Sequence, residues 1–206
     1  IMIQKNKILT IGIPTFNRSA VLIKNIDYIL SLDILDKIEL LVIDNNSHDD
    51  TFNILCSKYK NKFNFIKNES NVGFSKNTIK LFNCCKTKYL MWLPDEDFIY
   101  KENIYKLLDL LEQNDYYFLC PQFYLDKKLY RGKNKSAELN YGDLRSASSH
   151  LSGLVFNVTH IQDVLSEFDN IFQKYSRLSQ YYPQIFLLIK LVSLDINVDA
   201  FVLFLG

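Results

Sequence analysis

The chain has 206 residues, of which 48% are hydrophobic and 23% charged, an ordinary composition for one large globular domain or one domain with a subdomain. Lys plus Arg number 24 and Asp plus Glu 23, so a net charge of +1 gives no electrostatic reason to expect nucleic acid. The four cysteines, Cys56, Cys84, Cys85 and Cys120, match no zinc-ligand spacing and no disulfide framework, and read as reduced, small apolar residues of a cytosolic protein.

In chain order, short apolar runs alternate with amphipathic stretches. "ILTIGIP" (Ile8 to Pro14) predicts a strand closed by proline. "SAVLIKNIDYILSL" carries Val21, Leu22, Ile26, Ile29 and Leu30 at helical spacing, with Arg18-Ser19 at its start. "IELLVID" (Ile38 to Asp44) predicts a buried strand, "FNILCSKY" a helix and "FNFIKN" a short strand. After a turn at Gly73, "SKNTIKLFNCC" predicts a helix. "YLMWL" predicts the next strand, and "KENIYKLLDLLEQN" a helix with Leu107, Leu108, Leu110 and Leu111 inside. "YYFLCPQ" is a further strand. Residues 124–150 read as an extended loop, which includes the basic run from Lys127 to Lys135. That run is either a solvated loop or a flap that meets phosphates or an anionic membrane surface. "SGLVFNV" predicts a strand, "THIQDVLSEF" a helix capped by Thr159, "YYPQIFLLIKLVSL" a helix after Pro183, and "INVDAFVLFLG" a last strand whose abrupt stop suggests a longer natural chain. No signal peptide is expected at "IMIQKNKILTIGIP", and "IFLLIKLVSLDI", interrupted by Lys190 and Asp195, is too short to cross a bilayer.

Strand alternating with helix predicts an α/β fold: a doubly wound, mainly parallel sheet, with ligands at the carboxyl ends of its strands. Polar residues fall at three of those ends: Thr15, Asn17 and Arg18; Asp44, Asn45 and Asn46; and the triplet Asp95, Glu96 and Asp97. Three adjacent carboxylates repel, and a divalent cation would relieve them. The bland alternative is an acidic turn capping the helix at Tyr100. Arg18 at a helix start could hold a phosphate, or be merely solvated. Asp44 could receive base N–H or ribose hydroxyl groups. Asp49 or Asp50 is expected to cap the following helix and His48 to be a turn residue. "NESNVGFSKN" is neither a Walker loop nor a dinucleotide fingerprint, although Lys76 could reach a diphosphate.

Taken in order, "LTIGIPTFNR", "ELLVIDNNSHDDT", "NESNVGFSKN" and "YLMWLPDEDF" resemble the family 2 glycosyltransferases of the GT-A fold. The resemblance implies a Rossmann-like nucleotide-binding half (1–122) and a smaller acceptor-side half (123–206) within one domain. It implies transfer of a sugar from a nucleotide-diphospho-sugar to an acceptor hydroxyl, usually with inversion. It assigns Pro14, Thr15, Asn17, Arg18, Asp44, Asn71, Gly73, Lys76 and Asn77 to the donor. It assigns the acidic triplet to the family's DXD motif: Asp97 as main ligand for Mn2+ or Mg2+, Asp95 on the ribose or the metal, and Glu96 beside the donor. Ser152-Gly153 would lie near the sugar. The family's later acidic pair, source of its general base, is replaced here by Pro183-Gln184. His150, Asp169 and Glu167 are the remaining candidates.

The implied acceptor is a glycan or lipid-linked glycan of a polysaccharide, lipooligosaccharide or glycoprotein precursor at a bacterial cell surface. The implied location is the cytosol, with peripheral contact at the inner face of the membrane. Two rivals remain. A haloacid-type phosphatase needs its D-x-D after the first strand, and a nucleotidyltransferase wants a glycine-rich first turn; both are missing. A degenerate domain that only binds nucleotide or glycan is kept open by the missing acidic pair.

Overall fold

The computed structural model describes residues 7–121, 123–125, 128–130, 149–174, 181–193 and 201–205. β1 (Leu9–Thr15), α1 (Ser19–Ser31), β2 (Ile38–Asp44), α2 (Thr51–Lys58), β3 (Asn64–Lys67), α3 (Phe74–Cys84), β4 (Tyr89–Trp92), α4 (Lys101–Gln113) and β5 (Phe118–Pro121) follow the predicted alternation. A small antiparallel hairpin, β6 (Phe123–Leu125) and β7 (Lys128–Tyr130), stands where the sequence reads as loop. Then come β8 (Val155–Asn157), α5 (Val158–Lys174), α6 (Pro183–Ser193) and β9 (Phe201–Leu205). The rest of the basic run lies outside the described residues.

The described strands form a seven-stranded sheet of order β3-β2-β1-β4-β8-β5-β9. β3, β2, β1 and β4 run parallel, β8 is antiparallel to both β4 and β5, and β9 runs parallel to β5. The two-residue period of the strands sorts their side chains onto two faces. On one face Leu9, Ile11 and Ile13 of β1, Leu40 and Val42 of β2, and Tyr89 and Met91 of β4 pack with α1, α2 and α4. On the other, Leu41, Ile43, Leu90, Trp92 and Phe156 pack with α3, α5 and α6. Gly12 lets β1 lie close under α3: a Cβ there would come within 2.9 Å of Leu90 and 3.1 Å of Leu81.

The helices bury slightly different stripes from those predicted. α4 buries Ile104, Leu107, Leu108 and Leu111, an i, i+3, i+4, i+7 set, and leaves Leu110 half-buried. α1 buries Leu22, Asn25, Ile26 and Ile29, while Val21 is exposed. α5 begins one residue before Thr159, and Asn157 supplies the cap by accepting the Thr159 N–H at 3.1 Å. Among the described residues no helix is long and apolar enough to cross a membrane.

Candidate functional site

Parallel pairing brings the carboxyl ends of β1, β2 and β4 to one edge of the sheet, with Thr15 opposite Asp44 and Gly12 opposite Trp92. A cleft of about 440 Å³ opens there. It is lined by Pro14, Thr15, Phe16 and Arg18 after β1, by Asn45 after β2, by Asn71, Gly73, Phe74, Asn77 and Thr78 around the start of α3, by Trp92 to Glu96, and by Leu151.

The acidic triplet is a turn, not a helix cap. Pro94 C=O accepts the Asp97 N–H at 3.1 Å, which puts Asp95 and Glu96 at the tip. The acid in the first turn of α4 is Glu102 instead. Buried Asn25 on α1 donates its amide to Asp95 C=O at 3.2 Å and to Pro94 C=O at 3.4 Å. Tyr28, one helical turn further on, donates to Ile99 C=O at 2.6 Å and meets Phe98 edge-on. Helix α1 therefore fixes the backbone from which the acids project.

Their side chains diverge. Asp95 is 5% exposed; its Oδ2 accepts the Thr15 hydroxyl at 2.7 Å and its Oδ1 faces the Arg18 guanidinium at 3.4 Å. Arg18 also pairs with exposed Glu96. Burial raises the Asp95 pKa above the ordinary carboxylate value, and the Thr15 and Arg18 contacts offset this only in part. Asp97 instead accepts the Ser152 hydroxyl, on the turn before β8 where Gly153 has φ of 73°. Among the described residues no three acidic, histidine or cysteine side chains converge on one point. The donor set still fits a hard divalent cation, since Mg2+ and Mn2+ commonly take one or two carboxylates and complete their shells with water and substrate phosphates. Asp97 and the turn-tip carboxylates are the residues that could hold one.

Two loops next to the turn are stapled together. Asn17 adopts a left-handed φ of 54°, a conformation asparagine tolerates better than most residues. Its N–H donates to Ser47 Oγ at 2.8 Å, and its Oδ1 accepts the His48 N–H at 2.7 Å. Asp49 accepts the Ser19 N–H and the Thr51 N–H, both at 3.1 Å, so it ties the starts of α1 and α2. Asp44 is fully buried. Its Oδ1 accepts the Ser47 N–H at 3.0 Å, while its Oδ2 has no hydrogen-bond partner among the described residues. Such an orphaned oxygen is costly unless a ligand pairs it.

The loop before α3 rests on an asparagine network that the sequence reading only half identified. Asn68 donates to Asn45 Oδ1 at 3.0 Å and to Asn77 Oδ1 at 2.8 Å, and its own Oδ1 accepts from Lys80 at 2.7 Å. Asn45 donates to Asn71 Oδ1 at 2.7 Å and accepts the Val72 N–H at 3.0 Å. Asn77 donates to Ile43 C=O at 3.2 Å. The sequence places Asn45 at the end of β2 without giving it a role, and does not single out Asn68, which follows β3 in the same way. Gly73 closes the loop at φ 84° and ψ 163°, a region open essentially to glycine alone.

Several predicted residues stand apart from the cleft lining, Asn17, Asp44 and Asp97 just behind it and others farther off. The Lys76 ammonium lies 5.2 Å over the Phe172 ring. Glu167 is exposed and paired with Lys190 at 2.7 Å. Pro183 and Gln184 are buried at the start of α6. His150 is exposed and adjoins the cleft-lining Leu151. The Asp169 side chain lies outside the described residues.

Residues 10–163 match the family described as Glycosyl transferase family 2. No curated protein sequence matches the chain. Among solved structures, TarS residues 1–349 from S. aureus in complex with UDP-GlcNAc superposes with a TM-score of 0.61 at 19% identity, over 76% of this chain and 47% of that one. The mannosyltransferase PcManGT from Pyrobaculum calidifontis, in complex with GDP-Man and Mn2+, gives 0.57 at 15% identity, over 78% of this chain and 47% of that one. This chain thus spans about half the length of either, and identities so low speak for the fold alone. With the matched span running from β1 into α5 and covering every wall of the cleft, the chain belongs to glycosyl transferase family 2 and has the GT-A fold.

Proposed function

We propose that the protein transfers a sugar from a nucleotide-diphospho-sugar to the hydroxyl of a glycan or lipid-linked glycan acceptor. The observation that carries this reading is the buried Asp95 carboxylate, held by Thr15 and Arg18 on the wall of a cleft at the sheet's carboxyl edge. In this reading the nucleotide lies along the loops after β1 and β2, and the unpartnered oxygen of Asp44, buried beside the cleft-lining Thr15 and Asn45, accepts a base or ribose donor once those side chains part. Its diphosphate lies between the Asn71–Asn77 loop and the acidic turn. Asp97, aided by Asp95 or Glu96, would hold Mn2+ or Mg2+, which when bound neutralises charge on the departing diphosphate. Ser152 orients Asp97, and Asn25 and Tyr28 hold the turn that carries it.

The acceptor oxygen bonds to the anomeric carbon as the bond from that carbon to the phosphate oxygen breaks, with inversion. The nucleoside diphosphate leaves, and a base takes the acceptor proton. His150, beside cleft-lining Leu151, is the best placed of the candidates; Glu167 is committed to Lys190. The acceptor class is a polysaccharide, lipooligosaccharide or glycoprotein glycan precursor, and the work is done in the cytosol with peripheral contact at the membrane.

A second reading has an observation of its own. Among the described residues, Asp95 and Glu96 are the only acids lining the cleft, both face Arg18, and no carboxylate stands at Pro183-Gln184. That suits a domain that binds nucleotide without transfer. The thermal midpoint with UDP, GDP, CDP and dTDP, each with and without Mn2+, tests donor binding: a ligand at a hundred times its dissociation constant stabilises by about 2.7 kcal/mol. Release of nucleoside diphosphate from the matching sugar nucleotide then separates transferase from binding module. Absence of any shift refutes the donor site and leaves the domain that binds glycan alone.

A further inference from the structure

Arg18 occupies an unusual place for a residue expected to serve a bound nucleotide. Its guanidinium faces Asp95 Oδ1 at 3.4 Å and pairs with Glu96. Asp95 has its second oxygen bound to Thr15, so in this structure both of its oxygens are engaged. The arginine is therefore the positive charge that makes the acidic turn tolerable. It stands on the same carboxylates a divalent cation would approach, inside the same cleft.

Two cations compete for those oxygens at unequal cost. The Arg18 side chain is 48% exposed and Glu96 57%, and exposed ion pairs of this kind contribute little. Arg18 starts α1 without a side-chain cap hydrogen bond. Leaving Glu96 therefore costs little; leaving Asp95, whose side chain is only 7% exposed, costs more, and a cation arriving at the same oxygens offsets that loss. A doubly charged cation near the turn repels it, and a diphosphate in the cleft attracts it.

We propose that Arg18 is a resident counter-ion that competes with the divalent cation for the Asp95–Glu96 carboxylates, and that its displacement presents the guanidinium to the donor's phosphates. Donor and cation then bind cooperatively, because each favours the same movement of one side chain. This inference rests on the donor-site reading above.

The test is Mn2+ binding to nucleotide-free protein, read from the free-Mn2+ electron paramagnetic resonance signal, in the parent, Arg18→Met and Arg18→Lys. Arg18→Met should bind Mn2+ about three- to tenfold more tightly, the range expected when a unit charge on a half-exposed side chain is removed from beside the carboxylates. Arg18→Lys, which keeps the charge without the planar fork, should fall between. UDP and GDP titrations on the same proteins, with and without Mn2+, should show that Arg18→Met loses nucleotide affinity and loses most of its Mn2+ dependence. Equal or weaker Mn2+ binding by Arg18→Met overturns the inference, and so does absence of Mn2+ binding in all three proteins. If Mn2+ binding is unchanged while the parent still binds nucleotide with Mn2+, only this inference falls. If Arg18→Met gains Mn2+ affinity but no protein binds a nucleotide, the counter-ion role stands and the donor-site reading falls.

Discussion

Asp44→Asn separates a binding role from a structural one. Asp44 is fully buried, with one oxygen on Ser47 and the other unpartnered. In the ligand-free protein the substitution does two opposing things. It weakens the charge-assisted bonds from Ser47, and it removes the cost of an ionised oxygen with no donor. The net change in unfolding free energy should stay within about 1 kcal/mol. Ligand binding has no such compensation. A base N–H or ribose hydroxyl that loses a buried carboxylate acceptor gives up about 1.5–3 kcal/mol, or roughly ten- to 150-fold in affinity. At a hundred times the parent's dissociation constant the parent gains about 2.7 kcal/mol, whereas a variant about 30-fold weaker gains about 0.9 kcal/mol. Urea unfolding followed by the fluorescence of Trp92, the single tryptophan and 1% exposed, reads both quantities on one protein. A variant several kcal/mol less stable that binds the nucleotide as the parent does would refute the assignment, because the orphaned oxygen would then serve the fold.

Asn68→Ala should cost roughly 3 kcal/mol in the same assay, since it deletes three hydrogen bonds and leaves Asn77 Oδ1 buried without its donor; a loss below about 1 kcal/mol would mean the network is replaced by water. Gly73→Ala has open space for its Cβ but must hold φ at 84°, so a cost of about 1–3 kcal/mol or a shifted loop with weaker nucleotide binding is expected, and calorimetry with nucleotide titration distinguishes them. Asp97→Ala should leave the ligand-free thermal midpoint nearly unchanged and remove most transfer, measured as released nucleoside diphosphate; an active variant would sink the metal assignment. Asp95 has a raised pKa, so its contribution to stability is present below the unfolded value near 3.9 and is lost as pH rises through the higher folded value. In metal-free protein, the thermal midpoint of Asp95→Asn minus that of the parent should therefore be more positive at pH 7 than at pH 4, and the reverse order would refute it.

The parallel α/β half was legible because its signals are local. β2 spans the predicted Ile38–Asp44, and α1 opens at the predicted Arg18-Ser19. The burial periods of strand and helix are written into neighbouring residues. The acidic turn was visible for the same reason, as charge next to the apolar run of β4. What stayed hidden depends on partners distant in sequence. Nothing near Lys76 announces Phe172, and nothing near Glu167 announces Lys190 beyond its sign of charge. Asn68 resembles an ordinary turn residue until the fold brings it to Asn77, and Asn45, legible at a strand end, shows its bond to Asn71 only in the fold. The cap of α5 was misplaced by two residues because Asn157 also reads as the end of a strand.

β8 is inserted backwards between β4 and β5, and this has a consequence for how the chain assembles. Tyr89, Leu90 and Met91 find their outer partners only when Asn157, Phe156 and Val155 arrive, after α4, β5 and the following segment. Until then the strand that bears Trp92 is an apolar edge with unpaired backbone groups, and Phe156 is missing from the aromatic cluster it forms with Phe82 and Trp92. Closing so long a loop is entropically slow, and an open edge of this kind recruits other chains. The strands up to β5 therefore cannot complete their own sheet. Synthesis of β8 covers the β4 edge and one side of β5, and the other side of β5 stays unpaired until β9 follows.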